Sequence, residues 1–358
     1  YGLGAFETVD YTLSSAAETT NLTIRTQEKS WGPNYVNFGI ELQDDFEGSS
    51  NYNLGARYTR TAVNSLGAEW RADFQVGREP RLFSEFFQPL DHKNGFFIAP
   101  QLELSKIALN LFEDGNRIGE LRINQLQAGI DFGHQFGNWG EFRIGVRRGT
   151  GSARVRIGDP TLFSLDFDSG NVFASFGYDR LDNANFPRHG TRANIEWSAS
   201  RKSLGASDSF ESIDADFIRA QTFSKYTLLY RMSARSNLEG DAPIQNSFSL
   251  GGLFSLSGRR NDELFGQHAG LVNVAFYRRI GGDSSSPLNT NLYLGGSLEF
   301  GNVWDDSDDI SFSSGIWGGA VFLGIDTVLG PLYVAYGLTE GGETAGYFFL
   351  GPIFGEGD

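Results

Sequence analysis

Ala68-Glu69-Trp70-Arg71-Ala72-Asp73-Phe74-Gln75-Val76 decides the fold. Side chains along a strand point alternately to its two faces. Here Ala68, Trp70, Ala72, Phe74 and Val76 share one face, and Glu69, Arg71, Asp73 and Gln75 share the other. One face suits hydrocarbon or a dry core. The other carries opposite charges two residues apart, which can neutralise one another along a wet wall.

The pattern recurs outward in both directions. Tyr226, Leu228, Tyr230 and Met232 oppose Thr227, Arg231, Ser233 and Arg235. Ala193, Ile195, Trp197 and Ala199 oppose Arg192, Asn194, Glu196 and Ser198, and Phe142, Ile144 and Val146 oppose Arg143, Gly145 and Arg147. The alternation predicts strands at 34–45, 51–62, 66–78, 81–90, 95–112, 118–136, 139–157, 161–180, 190–201, 211–224, 226–239, 269–281, 290–304, 315–328, 330–340 and 344–354. The expected fold class is all-β, a transmembrane antiparallel β-barrel of about 16 strands, an even number as in single-chain bacterial barrels. A soluble sandwich or propeller also has one apolar face. The charged polar face, the aromatic residues near strand ends and the closing Tyr347, Phe348, Phe349 and Phe354 favour the membrane. Several segments exceed the roughly 9–11 residues that cross a bilayer, so they are expected to extend beyond the outer surface. Short connections such as 63–65, 137–138 and 329–330 are expected to alternate with longer ones such as 44–50 and a loop at 240–268. Short periplasmic turns and long external loops have this asymmetry. The 240–268 loop is far longer than ordinary connections, and loops of that size are usually functional.

Composition narrows the function. The chain has 358 residues, no Cys, 46 Gly, 31 Phe, 13 Tyr and 6 Trp. The formal net charge of −15 argues against nucleic acid as a partner. No run reaches the ~18 apolar residues of a membrane helix. A mean hydropathy of −0.29 fits a barrel, because only every second strand residue faces lipid. No G-x-S-x-G elbow, H-E-x-x-H motif or Cys/His metal spacing occurs, so no catalytic residue, metal or cofactor is predicted. His92, His134, His189 and His268 are isolated in sequence, which leaves only a Ser–His pair assembled across strands as a route to catalysis. Segments 5–13 and 21–27 alternate like a hairpin, too small to stand alone in water. Residues 1–31 are therefore read as the remnant of a small domain, with any signal peptide already removed, and 32–358 as the barrel.

Asp182-Asn183 followed by Phe186-Pro187-Arg188-His189-Gly190 resembles the Asp…Phe-Pro-x-x-Gly signature of the outer-membrane assembly-factor superfamily that includes BamA, TamA and the two-partner secretion transporters. In that superfamily the motif forms the periplasmic turn between the eighth and ninth strands, where the strand count also puts it. Leu250-Gly251-Gly252 through Leu256-Ser257-Gly258-Arg259-Arg260 resembles the superfamily's loop that folds back into the lumen. That likeness implies an Arg-Gly pair and an aromatic reaching carboxylates on the inner wall. Here Ser257 stands at the Arg position and Arg259 at the aromatic one, so Arg259 or Arg260 is expected to supply the charge, with Glu299 as acceptor. Phe6 to Tyr11 and Leu22 to Arg25 resemble the last strands of a POTRA domain.

Lys29 to Tyr35, Asn64 to Arg71 and Phe87 to Asp91 are similar to the barrels of patatin-like, type Vd autotransporters. The resemblance implies an outer-membrane translocator or anchor for an upstream lipolytic domain, its N-terminal remnant in the periplasm. The alternatives are an assembly factor that inserts other barrels and an enzyme with its site on the barrel. Implied partners are outer-membrane lipids, the barrel assembly machinery and the chain's own N-terminal patatin domain; a homo-oligomer stays open. Pro33 at the first strand, and Gly351 and Pro352 at the last, are expected to weaken the closing seam, because proline donates no ladder hydrogen bond.

Overall fold

The computed structural model describes residues 6–16, 19–28, 32–46, 48, 50–92, 95–113, 116–159, 161, 163–281 and 291–351. β1 (Phe6–Ala16) and β2 (Thr19–Glu28) form a separate two-stranded antiparallel sheet. The barrel begins with β3 (Asn34–Asp44), β4 (Ser50–Arg60), β5 (Glu69–Gly77), β6 (Arg81–Pro89), β7 (Phe96–Glu113) and β8 (Asn116–Gln135). It continues with β9 (Gly140–Ile157), β10 (Ser164–Asp179), β11 (His189–Ser200), β12 (Phe210–Phe223) and β13 (Tyr226–Glu239). A ribbon of β14 (Phe248–Leu250) and β15 (Leu264–Gly266) lies within the long connection. β16 (His268–Arg279), β17 (Leu292–Trp304), β18 (Ile316–Thr327), β19 (Gly330–Thr339) and β20 (Thr344–Leu350) complete the wall. β20 pairs with β3, so sixteen antiparallel strands close into a barrel.

Each predicted segment holds one barrel strand, with ends trimmed by turn chemistry. The quoted stretch starts its strand at Glu69 rather than 66, because the Asn64 side chain accepts from the N–H groups of Leu66 and Ala68 and holds those residues in a turn. The expected alternation of short and long connections does not hold. The connections 78–80 and 114–115 are short although they lie on the side of the long loop, and 280–291 is long on the opposite side. For 114–115 the reason lies in β7 and β8, which run for 18 and 20 residues. The chain beyond the bilayer on that side is spent as paired strand, not as loop.

The outer wall is apolar. Phe74, Leu102, Ile130, Ile144, Leu298, Val321 and Val334 are all exposed on the lipid-facing side of their strands. Exposed apolar surface of this extent marks an interaction surface, and in a closed barrel that surface suits hydrocarbon. The inner wall from β4 to β13 carries ion pairs: Arg57–Asp73 at 2.9 Å, Arg81–Glu103 at 3.0 Å, Arg143–Glu85 at 2.8 Å and Arg235–Asp214 at 2.9 Å. Such charge-assisted pairs keep a wet lumen neutral locally.

On β7 to β10 the two faces then exchange character. The face that carries Leu104, Leu126 and Val146 continues outward as Lys106, Asn124, Ser152 and Arg154. The opposite face, charged lower down, continues as Ile123, Ala153 and Phe167, packed with Leu109, Phe163 and Leu165. The same four strands are built for hydrocarbon below this level and for water above it. The level marks where the wall leaves the bilayer. Ile144→Arg, on the lipid face, should therefore cost about 2–4 kcal/mol of unfolding free energy in lipid, whereas Ser164→Arg, above the level, should cost no more than about 1 kcal/mol. Urea titration of each variant refolded into vesicles measures the difference.

Candidate functional site

The connection 240–267 turns back into the lumen. Its tip is fully enclosed: Phe254, Leu256 and Ser257 are 0% exposed. Backbone and side chain of Ser257 both donate to Glu299 of β17, N–H to Oε2 at 2.5 Å and Oγ to Oε1 at 2.8 Å. Ser297 adds a third donor to the same carboxylate at 2.6 Å. Thr339 of β19 donates to the Ser257 carbonyl at 2.9 Å. The Tyr347 hydroxyl of β20 accepts from Gly258 N–H at 2.8 Å and donates to the Arg259 carbonyl at 2.7 Å. Each hydrogen bond to a buried charge contributes about 1.5–3 kcal/mol, so Glu299 is the principal anchor of the tip.

The wall is cleared of side chains to admit the tip. A Cβ on Gly337 would lie 2.7 Å from Gly258 N and 2.8 Å from Ser257 Cβ, and one on Gly258 would lie 2.3 Å from Thr339 Oγ1. Gly258 also has φ of +108°, which glycine alone adopts without strain.

Glu299 thus receives the loop, but neither arginine reaches it. Arg259 pairs with Glu263 at 2.6 Å and with Glu343 at 3.4 Å, and the N–H of Arg260 donates to Glu263 at 2.9 Å. The expected Arg–Glu299 pair is corrected to a Ser257–Glu299 pair. The physical reason is reach: with the Ser257 backbone hydrogen-bonded to the carboxylate, no space is left for a guanidinium between them.

The turn motif lies at the other end of the lumen. Asp182 Oδ1 accepts from Arg188 N–H at 2.8 Å and His189 N–H at 3.0 Å, which closes the turn. Gly190 has φ of +109° and no room for a Cβ against the Arg180 carbonyl. The Pro187 carbonyl accepts from the Tyr277 hydroxyl. Phe186 is buried and stacks on Tyr293, with ring centroids 4.2 Å apart. It also meets Tyr333 at 5.2 Å, and Phe254 of the loop tip meets Tyr333 at 5.5 Å. An aromatic column therefore joins the turn motif to the loop motif through the lumen.

Sequence reading missed this column. A signal was present: β18, β19 and β20 hold one charged residue between them, Asp326. Lumen positions that carry charge in β4 to β13 carry Phe322, Tyr333 and Tyr347 here. The lumen has a charged wall and an aromatic, glycine-notched wall, and the loop is seated on the second.

Among the described residues the seam is short. β20 meets β3 there in three residue pairs, Phe348–Asp44, Phe349–Gln43 and Leu350–Leu42, against seven pairs between β19 and β20 and eleven between β3 and β4. Gly351 has φ of +132° and donates to the Pro331 carbonyl; the Pro33 carbonyl accepts from Thr61 N–H. Pro352 and Phe354 lie outside the described residues, as do residues 29–31. The loop also touches both edges of the seam: Tyr347 of β20, and Gln43 of β3, which donates to the Asn261 side chain at 2.9 Å.

One Ser–His pair does form across strands, Ser236 Oγ with His268 Nδ1 at 2.7 Å. No carboxylate among the described residues bonds the other ring nitrogen, so the pair lacks the orienting group of a hydrolytic triad.

Glu79, in the connection 78–80, has its carboxyl pushed up to about 7, foremost by burial, with Glu41 and the loop's Asp262 adding to the rise while the Ala108 N–H and Arg78 oppose it. Its ordinary value is 4.5.

The barrel is similar to that of BamA from Haemophilus ducreyi lacking POTRA domains 1–3, with a TM-score of 0.76 and 13% identity over 97% of this chain and 75% of that one. It is also similar to CdiB from Acinetobacter baumannii (TM-score 0.61, 12% identity, 98% of this chain, 66% of that one). CdiB from Escherichia coli gives a TM-score of 0.61 and 14% identity over 96% of this chain and 67% of that one. No family model and no curated protein matches the sequence. At these identities the likeness is one of fold, a closed barrel of the type seen in BamA and CdiB.

Two outcomes follow from the site. Gly258→Ala and Glu299→Ala should each unseat the tip, so that limited proteolysis of the folded barrel cuts within 240–267 at least tenfold faster. Between pH 4.5 and about 7 the unfolded chain ionises Glu79 before the folded one does. Stability should thus fall as pH rises through that window, and Glu79→Gln should flatten the fall in urea titrations.

Proposed function

We propose that this chain is an integral outer-membrane translocator, in which the lumen loop latches a weak seam. The observation that supports it is the loop's placement: its buried tip, held on Glu299, bonds β20 through Tyr347, and Asn261 just beyond it bonds β3 through Gln43, at a seam of three pairs among the described residues. An antiparallel pair this short contributes little stability of its own, and a strand edge exposed on opening is a template for another strand. Release of the tip would free both edges. The lumen charges line the path beside the loop, and the apolar outer wall places the barrel in a bilayer.

The finer reading is a type Vd autotransporter unit that anchors and exports an upstream patatin-type lipolytic domain through a single POTRA module. It rests on the sequence likenesses at residues 29–35, 64–71 and 87–91 and at the β1–β2 hairpin. The barrel itself does no covalent chemistry in this reading. The second reading, an assembly factor that inserts other barrels, is supported by the fold's higher TM-score to BamA than to CdiB. Upstream sequence separates them: a G-x-S-x-G domain with one POTRA favours export, several POTRA modules favour assembly.

The chain is free of cysteine, so the seam can be locked cleanly. Leu42→Cys with Leu350→Cys places two thiols at directly paired positions and leaves Gln43 and Tyr347 in place. In cells, the oxidised double variant should fold into the membrane yet lose export or insertion of the client, and reduction should restore it. Undiminished activity in the locked state would refute the latch.

A further inference from the structure

We propose that the outer wall carries a binding site for a membrane lipid with a phosphorylated headgroup, at the level where β7 to β9 leave the bilayer. The inference rests on the membrane placement above and adds a ligand to it. A groove of about 520 Å³ lies on the lipid-facing side of β5 to β9, floored by Phe74, Val76, Leu82, Leu104 and Leu126. All five are exposed, and all sit on the outward face, so acyl chains are the medium that fills the groove.

The head of the groove changes chemistry within one residue pair. Leu104 pairs with Leu126, and the next outward pair is Lys106 with Asn124. Asn124 pairs in turn with Ser152, so an ammonium, an amide and a hydroxyl form one row across three strands. The row after that pairs Arg122 with Arg154. Strand spacing of about 5 Å and a same-face step of about 7 Å put these rows within one phosphate's reach of the groove.

The cations at this level exceed their local carboxylates. Lys106 is exposed and makes no ion pair among the described residues. Among the described residues Arg122 reaches only Glu120, at 3.6 Å, and that carboxylate is shared with Arg78, Arg117 and Arg156. Arg122 Nε is buried with no hydrogen-bond partner. Arg154 is matched by Asp166, and Asp168 lies across from Thr150 at the groove's far side. Phosphate oxygens accept from ammonium, guanidinium, amide and hydroxyl donors alike, and bidentate guanidinium contacts are the stronger ones. An apolar slot headed by surplus donors fits an amphiphile with an anionic head, not a free anion, which would leave the slot empty.

The test is native mass spectrometry of the whole chain, folded in neutral detergent and titrated with bisphosphorylated lipid A, with the same lipid stripped of phosphate, and with inorganic phosphate. The wild-type barrel should retain the phosphorylated lipid at least tenfold more tightly than the stripped one and should not retain inorganic phosphate. Lys106→Gln with Arg122→Gln should abolish the preference while the folded barrel keeps its heat-shifted electrophoretic mobility, and Lys106→Arg should preserve it. Equal retention of both lipids, retention of inorganic phosphate alone, or an unchanged preference in the double variant would overturn the site. Failure of the wild-type chain to fold in detergent or vesicles would instead overturn the membrane placement, and the site with it.

Discussion

Hydrocarbon offers no hydrogen-bond partner to a peptide group, and that constraint governs the whole molecule. A sheet can stand in a bilayer only if its last strand finds its first. Among the described residues that closure is made by three residue pairs between β20 and β3, while neighbouring strand pairs have more than twice as many. The described part of the seam is the shortest ladder of the wall, and the burden of holding the two edges falls partly on a loop that enters between β13 and β16, five strands away.

The lumen is organised around that loop. From β4 to β13 the inner face is lined with arginines and acids that neutralise one another. From β16 to β20 it is lined with tyrosines, phenylalanines and glycines, and the loop tip is seated there against Gly337 and Glu299. The polar groups of Ser257 and the Glu299 carboxylate are matched, while Asn273 Oδ1 and Arg259 Nε are buried without a hydrogen-bond partner among the described residues; each bond left unmade at such a site costs about 1–3 kcal/mol. The aromatic column from Phe186 to Phe254 gives the tip a stiff backing and couples it to the turn motif at the other end.

Much of this was legible in the sequence. Alternation gave sixteen strands because each strand presents one face to lipid and one to water, so a slip of one residue would invert every side chain. Glu299 was legible as an acceptor through the family resemblance of the loop motif and of the segment from Leu298 to Val303. The donor was not: Arg259 and Arg260 look like the charged partners, yet the backbone direction at Ser257, set by positive φ at Leu256 and Gly258, aims the serine instead. The length of the connection at 114–115 was misread because β7 and β8 remain hydrogen-bonded above the membrane. The exchange of faces along those strands was visible in the sequence only once the level of the bilayer was known.

The membrane placement of the wall comes down to which of its faces meets acyl chains. Trp70 and Trp317 lie on the outer face, 41% and 50% exposed. Variants that keep one of these as the sole tryptophan, reconstituted into vesicles with brominated acyl chains, measure it directly through fluorescence quenching. Strong quenching of both is expected. Unquenched emission from both, with the protein remaining dispersed in water without detergent, would contradict the account.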